Sequence, residues 1–242
     1  MPAPKLLLAP AALPPGLRVY AIGDVHGCAM RLAALHAAIA EDWAAWPAAR
    51  AAVVHLGDYV DRGPDSPGVL ARIAAPPPVA GAESVALRGN HEAMMLDALA
   101  PGATPAAREH WLRNGGRTTL RDFGGAVPDA VLAQLRALPL FWQAGGYRFV
   151  HAGVDPCRGW AAQREQDLLW MREPFLSWPT ALDAVYVHGH TPAAEPEVCG
   201  HRIGIDTGAV GGGALTALVL EGDGLRFLQA LPGTPATSPS CA

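Results

Sequence analysis

With 242 residues, half of them hydrophobic, and a formal charge of −4, the chain can build one large α/β domain or two small ones. It carries no block of Lys or Arg, which argues against a protein built to grip a nucleic-acid backbone or an anionic membrane surface. No stretch is long enough to span a bilayer, and Cys28, Cys157, Cys199 and Cys241 lie scattered with no C-x-x-C pair, which speaks against a zinc ribbon or disulfide framework and for reduced cysteines in the cytoplasm.

Residues 1–16 read as a flexible N-terminal arm. Lys5 and the run Leu6-Leu7-Leu8-Ala9 carry a trace of a signal peptide, but Pro10, Pro14 and Pro15 interrupt it before the first strand. Strands are predicted over 18–23, 51–57 and 84–89, each followed by a helical pattern, over 30–41, 66–74 and 92–99. This β-loop-α rhythm predicts a parallel sheet with right-handed crossovers, which places ligands at the carboxyl ends of its strands. Residues 105–138 turn helical, broken at Gly115-Gly116 and Gly124-Gly125, and read as a helical insert covering one side of a site. Segments 147–150, 184–187, 202–205, 214–220 and 225–228 read as strands of a second sheet. With no internal repeat or linker, 17–232 is expected to form a single domain, and the Pro/Ser/Thr-rich residues 233–242 a disordered tail.

Most of the predicted strands end in a short polar segment. Gly23-Asp24-Val25-His26-Gly27, Gly57-Asp58-Tyr59-Val60-Asp61-Arg62-Gly63, Gly89-Asn90-His91-Glu92, His151-Ala152-Gly153, His188-Gly189-His190-Thr191 and Asp206-Thr207-Gly208 follow one another in that order. A strand end is rigid, and a glycine-rich turn after it lets side chains converge. Convergence of Asp, His and Asn is what a two-metal hydrolytic site needs. Asp24 and His26, two apart in one turn, can hold one divalent ion. Asp58 could bridge two, Asn90 offers a neutral oxygen, and His151 and His190 could complete the second ion. Oxygen and imidazole donors without thiolate suit Mn²⁺, Fe or Zn²⁺. His188, His55, His36, His110 and His201 lack a partner motif and read as core, metal-supporting or surface groups. The tryptophans read as core or site-wall residues, and Asn114-Gly115-Gly116 as a helix end.

The set GDVHG, GDYVDRG, GNHE, HAG, HGHT and IDTGAV resembles the phosphoprotein phosphatase family of calcineurin-like metallophosphoesterases, and its compact bacterial and phage members in particular. The resemblance runs from about residue 18 to about residue 220. It implies a β-sandwich of two mixed sheets flanked by helices, with the active site at the C-terminal ends of the strands. It also implies two metal ions, Mn²⁺ by analogy with the bacterial relatives, one held by Asp24, His26 and Asp58 and the other by Asp58, Asn90, His151 and His190. His91 resembles the proton donor to the leaving oxygen, with Asp61 orienting it, and Arg62 resembles a phosphate-binding arginine. The family's second phosphate-binding arginine falls in a weakly matching region, where Arg172 is the choice and Arg158 and Arg164 the fallbacks.

The chemistry implied is direct in-line attack on phosphorus by a hydroxide bridging two ions about 3.5 Å apart. The expected function is a phosphomonoesterase, read as a serine/threonine protein phosphatase acting on phosphoproteins or small phosphoesters, cytoplasmic and monomeric. A symmetrical dinucleoside tetraphosphate hydrolase, or another nucleotide or small-molecule phosphatase, is the alternative. The tetraphosphate hydrolases typically lack an acid at the position of Asp61. A non-catalytic binding protein on the same fold is the reading from another class, although none of the six ligand positions is lost.

Overall fold

A computed structural model describes residues 7–233. In chain order the first sheet begins with β1 (Leu7–Leu8), β2 (Leu17–Ile22), β3 (Arg50–His55) and β4 (Glu83–Ala86). The second sheet comprises β5 (Phe141–Ala144), β6 (Tyr147–Val150), β7 (Val185–His188), β8 (Glu197–Val198) and β9 (Arg202–Gly204). The chain then returns to the first sheet with β10 (Leu215–Glu221) and β11 (Gly224–Ala230). The orders are β1-β11-β10-β2-β3-β4 and β5-β6-β7-β9-β8. Pairs β2/β3, β3/β4, β6/β7 and β7/β9 are parallel and the others antiparallel, so both sheets are mixed.

The helices are α1 (Ala29–Ala45), α2 (Ser66–Ala74), α3 (Asn90–Ala98), α4 (Pro105–Trp111), α5 (Arg117–Asp122), α6 (Asp129–Arg136) and α7 (Glu165–Trp170). Alternation along the strands supplies two cores. Tyr20, Ile22 and Val53 face α1 and α2, whereas Val19, Ala21, Val54 and Leu218 face Phe149, Val187 and Ile203 of the second sheet. A smaller cluster around Phe175 and Tyr186 covers the second sheet's outer side. Helix α2 starts where its sequence says it should: Asp65 accepts the Gly68 N–H at 2.8 Å, and Pro67 occupies the first turn.

Three expectations need correction. Segments 214–220 and 225–228 do not join the second sheet, because β10 pairs antiparallel with β2 in the first. Alternation reports that β10 is buried on both faces, with Ala217 and Val219 in one core and Leu218 and Leu220 in the other, but it does not name the neighbour. The first sheet is consequently mixed and not purely parallel. The described part of the proposed arm is also tied down. Leu7–Leu8 pairs with β11, the Ala9 N–H donates to the Asp223 carbonyl at 2.8 Å, and Leu13 is buried. Residues 1–6 and the tail from 234 lie outside the described residues. The insert is helical as expected: α4, a kink at Gly115 within Leu112–Gly116, α5 and α6.

One histidine pair joins α1 to the end of β3. His36 Nε2 and His55 Nε2 are 3.0 Å apart, and burial lowers the imidazoles to about 3 and about 4. A depressed histidine favours the neutral form in the fold, so its contribution is intact above the unfolded value of about 6.5. Below that value the unfolded chain takes up a proton that the fold refuses. Each such group then removes up to about 1.4 kcal/mol per pH unit until the folded value is reached. With chelator-treated protein, unfolding free energy is expected to fall between pH 6.5 and pH 4.5. His55→Gln should flatten that slope by about one proton's worth. Parallel slopes in urea titrations of the two proteins would show that His55 is not held neutral.

Candidate metal centre

The left-handed region is sterically poor for any residue with a Cβ. Among the described residues five non-glycine positions adopt it: His26 (φ 42°), Asp58 (54°), Asp61 (70°), Arg62 (67°) and His190 (64°). All five belong to the polar segments singled out in the sequence. Backbone strain confined to one cluster of titratable side chains points to a functional site, because the surrounding fold has to hold it in place.

Two groups of ligand-type atoms lie within 4.8 Å of one another, His26/Asp58/His91 and Asp58/His151/His190, and Asp58 belongs to both. Asp58 Oδ1 is 3.4 Å from His151 Nε2, and Oδ2 is 3.4 Å from His26 Nε2 and 3.9 Å from His91 Nε2. His151 Nδ1 lies 2.9 Å from the Leu56 carbonyl and His26 Nδ1 2.9 Å from the Val60 carbonyl. Each imidazole thus donates Nδ1–H to the backbone and presents the Nε2 lone pair inward, the usual support of a metal-binding histidine. Asn90 Oδ1 lies 2.8 Å from His151 Nε2 and 3.0 Å from His190 Nδ1. Three electron-pair donors therefore point at one spot.

The electrostatics fit a cation. Burial drives His26 and His190 down to about 3 and lowers His151 too, so neutral imidazoles face the centre, with Nε2 of His26 accepting from Arg62. Burial, reinforced by Asp206 and Asp58, pushes the Asp24 carboxyl well up, and burial raises Asp206 to about 6. Asp58 goes the other way: burial opposes ionisation, but His151, His91 and His26 outweigh it. Crowded, desolvated carboxylates beside neutral imidazoles suit hard or borderline divalent ions.

The structure gathers the sequence-predicted residues with one difference. Asp24 is buried beside the centre, accepting the His190 N–H at 3.0 and 3.1 Å, but His91 takes its place in the first triad. Arg62 spans the two imidazoles of that triad, Nη1 2.9 Å from His26 Nε2 and Nη2 2.8 Å from His91 Nε2. Asp61 Oδ2 is 2.8 Å from His91 Nδ1. A cavity of about 340 Å³ opens over the group, lined by Asp58, Arg62, Asn90, His91, Asn114, Trp170, Arg172, His190 and Pro192. Arg172 is thus the second arginine at this cavity, while Arg158 is engaged with Asp155 at 2.6 Å and Arg164 stands at the N-terminus of α7, its backbone N–H donating to Asp167 Oδ2 at 3.0 Å. His188 stays in the core against Phe175, as expected.

Sequence reasoning gave no role to Glu92, Thr119 or Asp206, and read Trp111 only as a core or site-wall residue. Glu92 is wholly buried and accepts four backbone N–H groups, of Gly89, Asp58, Tyr59 and Val60, at 2.7–3.2 Å, fixing the Asp58 loop to the start of α3. Three residues after Gly89, it reaches back to the N-cap N–H at 2.9 Å, which is half of a capping box, since glycine offers no side chain in return. Trp111 and Thr119 reach Asp61 from the insert, a long-range approach that no local pattern announces.

Comparison with known proteins agrees with this geometry. A family model described as calcineurin-like phosphoesterase matches residues 17–210. The chain is 32% identical over 209 residues to the serine/threonine-protein phosphatase 1 of Salmonella typhimurium, covering 82% of this chain and 89% of that one. It is 37% identical over 147 residues to the symmetrical bis(5'-nucleosyl)-tetraphosphatase of Ralstonia nicotianae, covering 60% of this chain but only 44% of that one. A cold-active protein-tyrosine phosphatase of a Shewanella species shares the fold, with a TM-score of 0.59, 17% identity, and coverage of 98% and 85%.

Proposed function

The chain belongs to the calcineurin-like phosphoesterase family, and we propose that within it this protein is a serine/threonine protein phosphatase of the cytoplasm, acting as a monomer. Phosphoester hydrolysis is the family's chemistry. The observation that carries the narrower reading is the buried Asp61–His91 pair at 2.8 Å, an arrangement suited to protonating a poor leaving group such as a serine alkoxide. The relative from Salmonella, which this chain matches over most of both lengths, supports the same reading.

Asp24, His26 and Asp58 would hold one ion and Asp58, Asn90, His151 and His190 the other, with Mn²⁺ the proposed native metal and Fe or Zn²⁺ as alternatives. Bound there, two divalent ions supply positive charge for the phosphoryl oxygens and make water more acidic. The chain's own groups do the rest. Arg62, whose Nη1 and Nη2 rest on His26 and His91, and Arg172 line the cavity and would turn planar forks to the phosphoryl oxygens as charge develops. Asp61 keeps the His91 Nδ1 proton in place, so Nε2, which lies 2.8 Å from Arg62 Nη2, is the atom left to deliver a proton to the departing oxygen once that arginine turns to the phosphoryl group. Burial of Asp58, Asn90 and His91 keeps bulk water from screening these contacts.

The relatives named as symmetrical tetraphosphatases favour a second reading, cleavage of dinucleoside tetraphosphates. Turnover of a phosphoserine peptide, p-nitrophenyl phosphate and diadenosine tetraphosphate by the Mn²⁺-loaded protein separates the two. We expect comparable or better kcat/KM on the peptide. A preference for the dinucleotide by two orders of magnitude or more would transfer the assignment to the second reading.

A further inference from the structure

The Asp61 carboxylate is wholly buried, and charges in that setting are tolerated only when their hydrogen-bond capacity is filled. The donors come from three separate elements. Trp111 Nε1–H, at the end of α4, lies 3.0 Å from both Oδ1 and Oδ2. The Thr119 hydroxyl, on α5, donates to Oδ1 at 2.6 Å. His91 Nδ1–H, on α3, takes Oδ2. Thr119 Oγ1 also accepts the Asp61 N–H at 2.9 Å, so both the side chain and the backbone of a strained, left-handed residue are tied to the insert.

Trp111 is itself fixed. It is fully buried, and its indole lies so close to Gly116 that a Cβ there would come within 2.4 Å of the ring. The neighbouring Gly115 has φ 112°, and its carbonyl accepts the Arg62 N–H at 3.3 Å. The residues Trp111, Gly115, Gly116 and Thr119 therefore grip Asp61 and Arg62 in succession. With Oδ1 taken by Thr119 and Trp111 shared between the two oxygens, only one orientation of the carboxylate remains, and it aims Oδ2 at His91.

We propose that Trp111 and Thr119 are positioning residues for phosphoester hydrolysis: the helical insert sets the Asp61 carboxylate so that it orients His91 towards the leaving oxygen. The inference rests on the general-acid reading of His91 and assigns the insert a part in it. Phenylalanine at 111 keeps most of the ring's bulk and removes its donor, and valine at 119 keeps the shape and removes the hydroxyl. Trp111→Phe and Thr119→Val should each lower kcat about tenfold for a phosphoserine peptide or an alkyl phosphate, as the loss of one hydrogen bond to a charged group does. They should change p-nitrophenyl phosphate turnover less than about threefold, because its phenolate departs without a proton. KM and bound metal should stay as in the wild type, and Thr119→Ser should restore the rate on the poor leaving groups.

An independent readout is the His91 Nδ1–H resonance of metal-free, ¹⁵N-histidine-labelled protein, assigned by its loss in His91→Gln. It should move or broaden in Trp111→Phe and Thr119→Val and return in Thr119→Ser. Equal losses on both substrate classes, with the resonance unmoved, would reduce the insert to a structural support. Should Trp111→Phe fail to fold, the Thr119 pair carries the same test. If His91→Ala shows no leaving-group dependence, the general-acid reading itself falls. If His91→Ala shows it and the insert variants do not, only the present proposal falls.

Discussion

Asp58→Ala is expected to lower phosphoesterase turnover by roughly a thousandfold or more, about 4 kcal/mol of transition-state stabilisation, and to leave at most one tightly bound ion per chain. Asp58 belongs to both ligand triads, and each of its oxygens faces a different imidazole at 3.4 Å. Among the described residues no other carboxylate belongs to both triads, which makes its loss unlike that of a ligand serving one group. Oδ1 also accepts the His91 N–H at 3.0 Å, so alanine leaves a buried donor unpaired as well. Asp58→Asn separates the two effects, because it keeps an oxygen for that N–H while removing the shared negative charge. Metal analysis with circular dichroism on both variants provides the measurement. Two ions still bound to a folded, active Asp58→Asn protein would remove Asp58 from its bridging role.

How far the sequence reached depended on the range of the interaction. Segments 66–74 and 147–150 coincide with α2 and β6, because their alternation and capping residues are local. Short strands such as Phe141–Ala144 and Glu197–Val198 were not legible, since the first is only four residues long and half-buried at alternate positions and the second is two exposed residues. The placement of β10 beside β2 was equally hidden: a strand buried on both faces looks the same in either sheet. In the site, ligand types showed through because each sits in a turn at a strand end. What positions them did not. The four N–H bonds to Glu92 and the donors on Trp111 and Thr119 arise from residues more than 30 positions from Asp58 or Asp61, or from a helix start whose second role is tertiary. The unusual backbone at His26, Asp58, Asp61, Arg62 and His190 is likewise imposed by the assembled fold.

His91 presents the sharpest choice, because its imidazole is placed to serve as acid, as ligand or as helix start. As the acid, His91→Ala should lose about 100-fold or more with alkyl or serine phosphates and only a few-fold with p-nitrophenyl phosphate. Both ions should remain, since Asn90 is the proposed ligand of this segment. Asp61→Asn should give a milder loss with the same dependence on the leaving group, because it disturbs the orientation of His91 and leaves the imidazole in place. As a ligand beside His26 and Asp58, with which it forms the first triad, His91→Ala would release an ion and slow every substrate equally. As nothing more than part of the first turn of α3, its replacement would lower stability without dependence on the leaving group. The geometry favours the acid. Its Nδ1 is committed to Asp61 at 2.8 Å, burial opposes protonation, and yet Asp58 and Asp61 together raise the imidazole above its ordinary value. An imidazole whose affinity for a second proton is raised is suited to give one away, and delivery from Nε2 requires the Arg62 Nη2 group, 2.8 Å away, to turn towards the phosphoryl oxygens. A series of phosphoesters with leaving groups of graded pKa, run with metal analysis of each variant, decides among the three. A constant ratio of wild-type to His91→Ala rates across that series would count against proton donation.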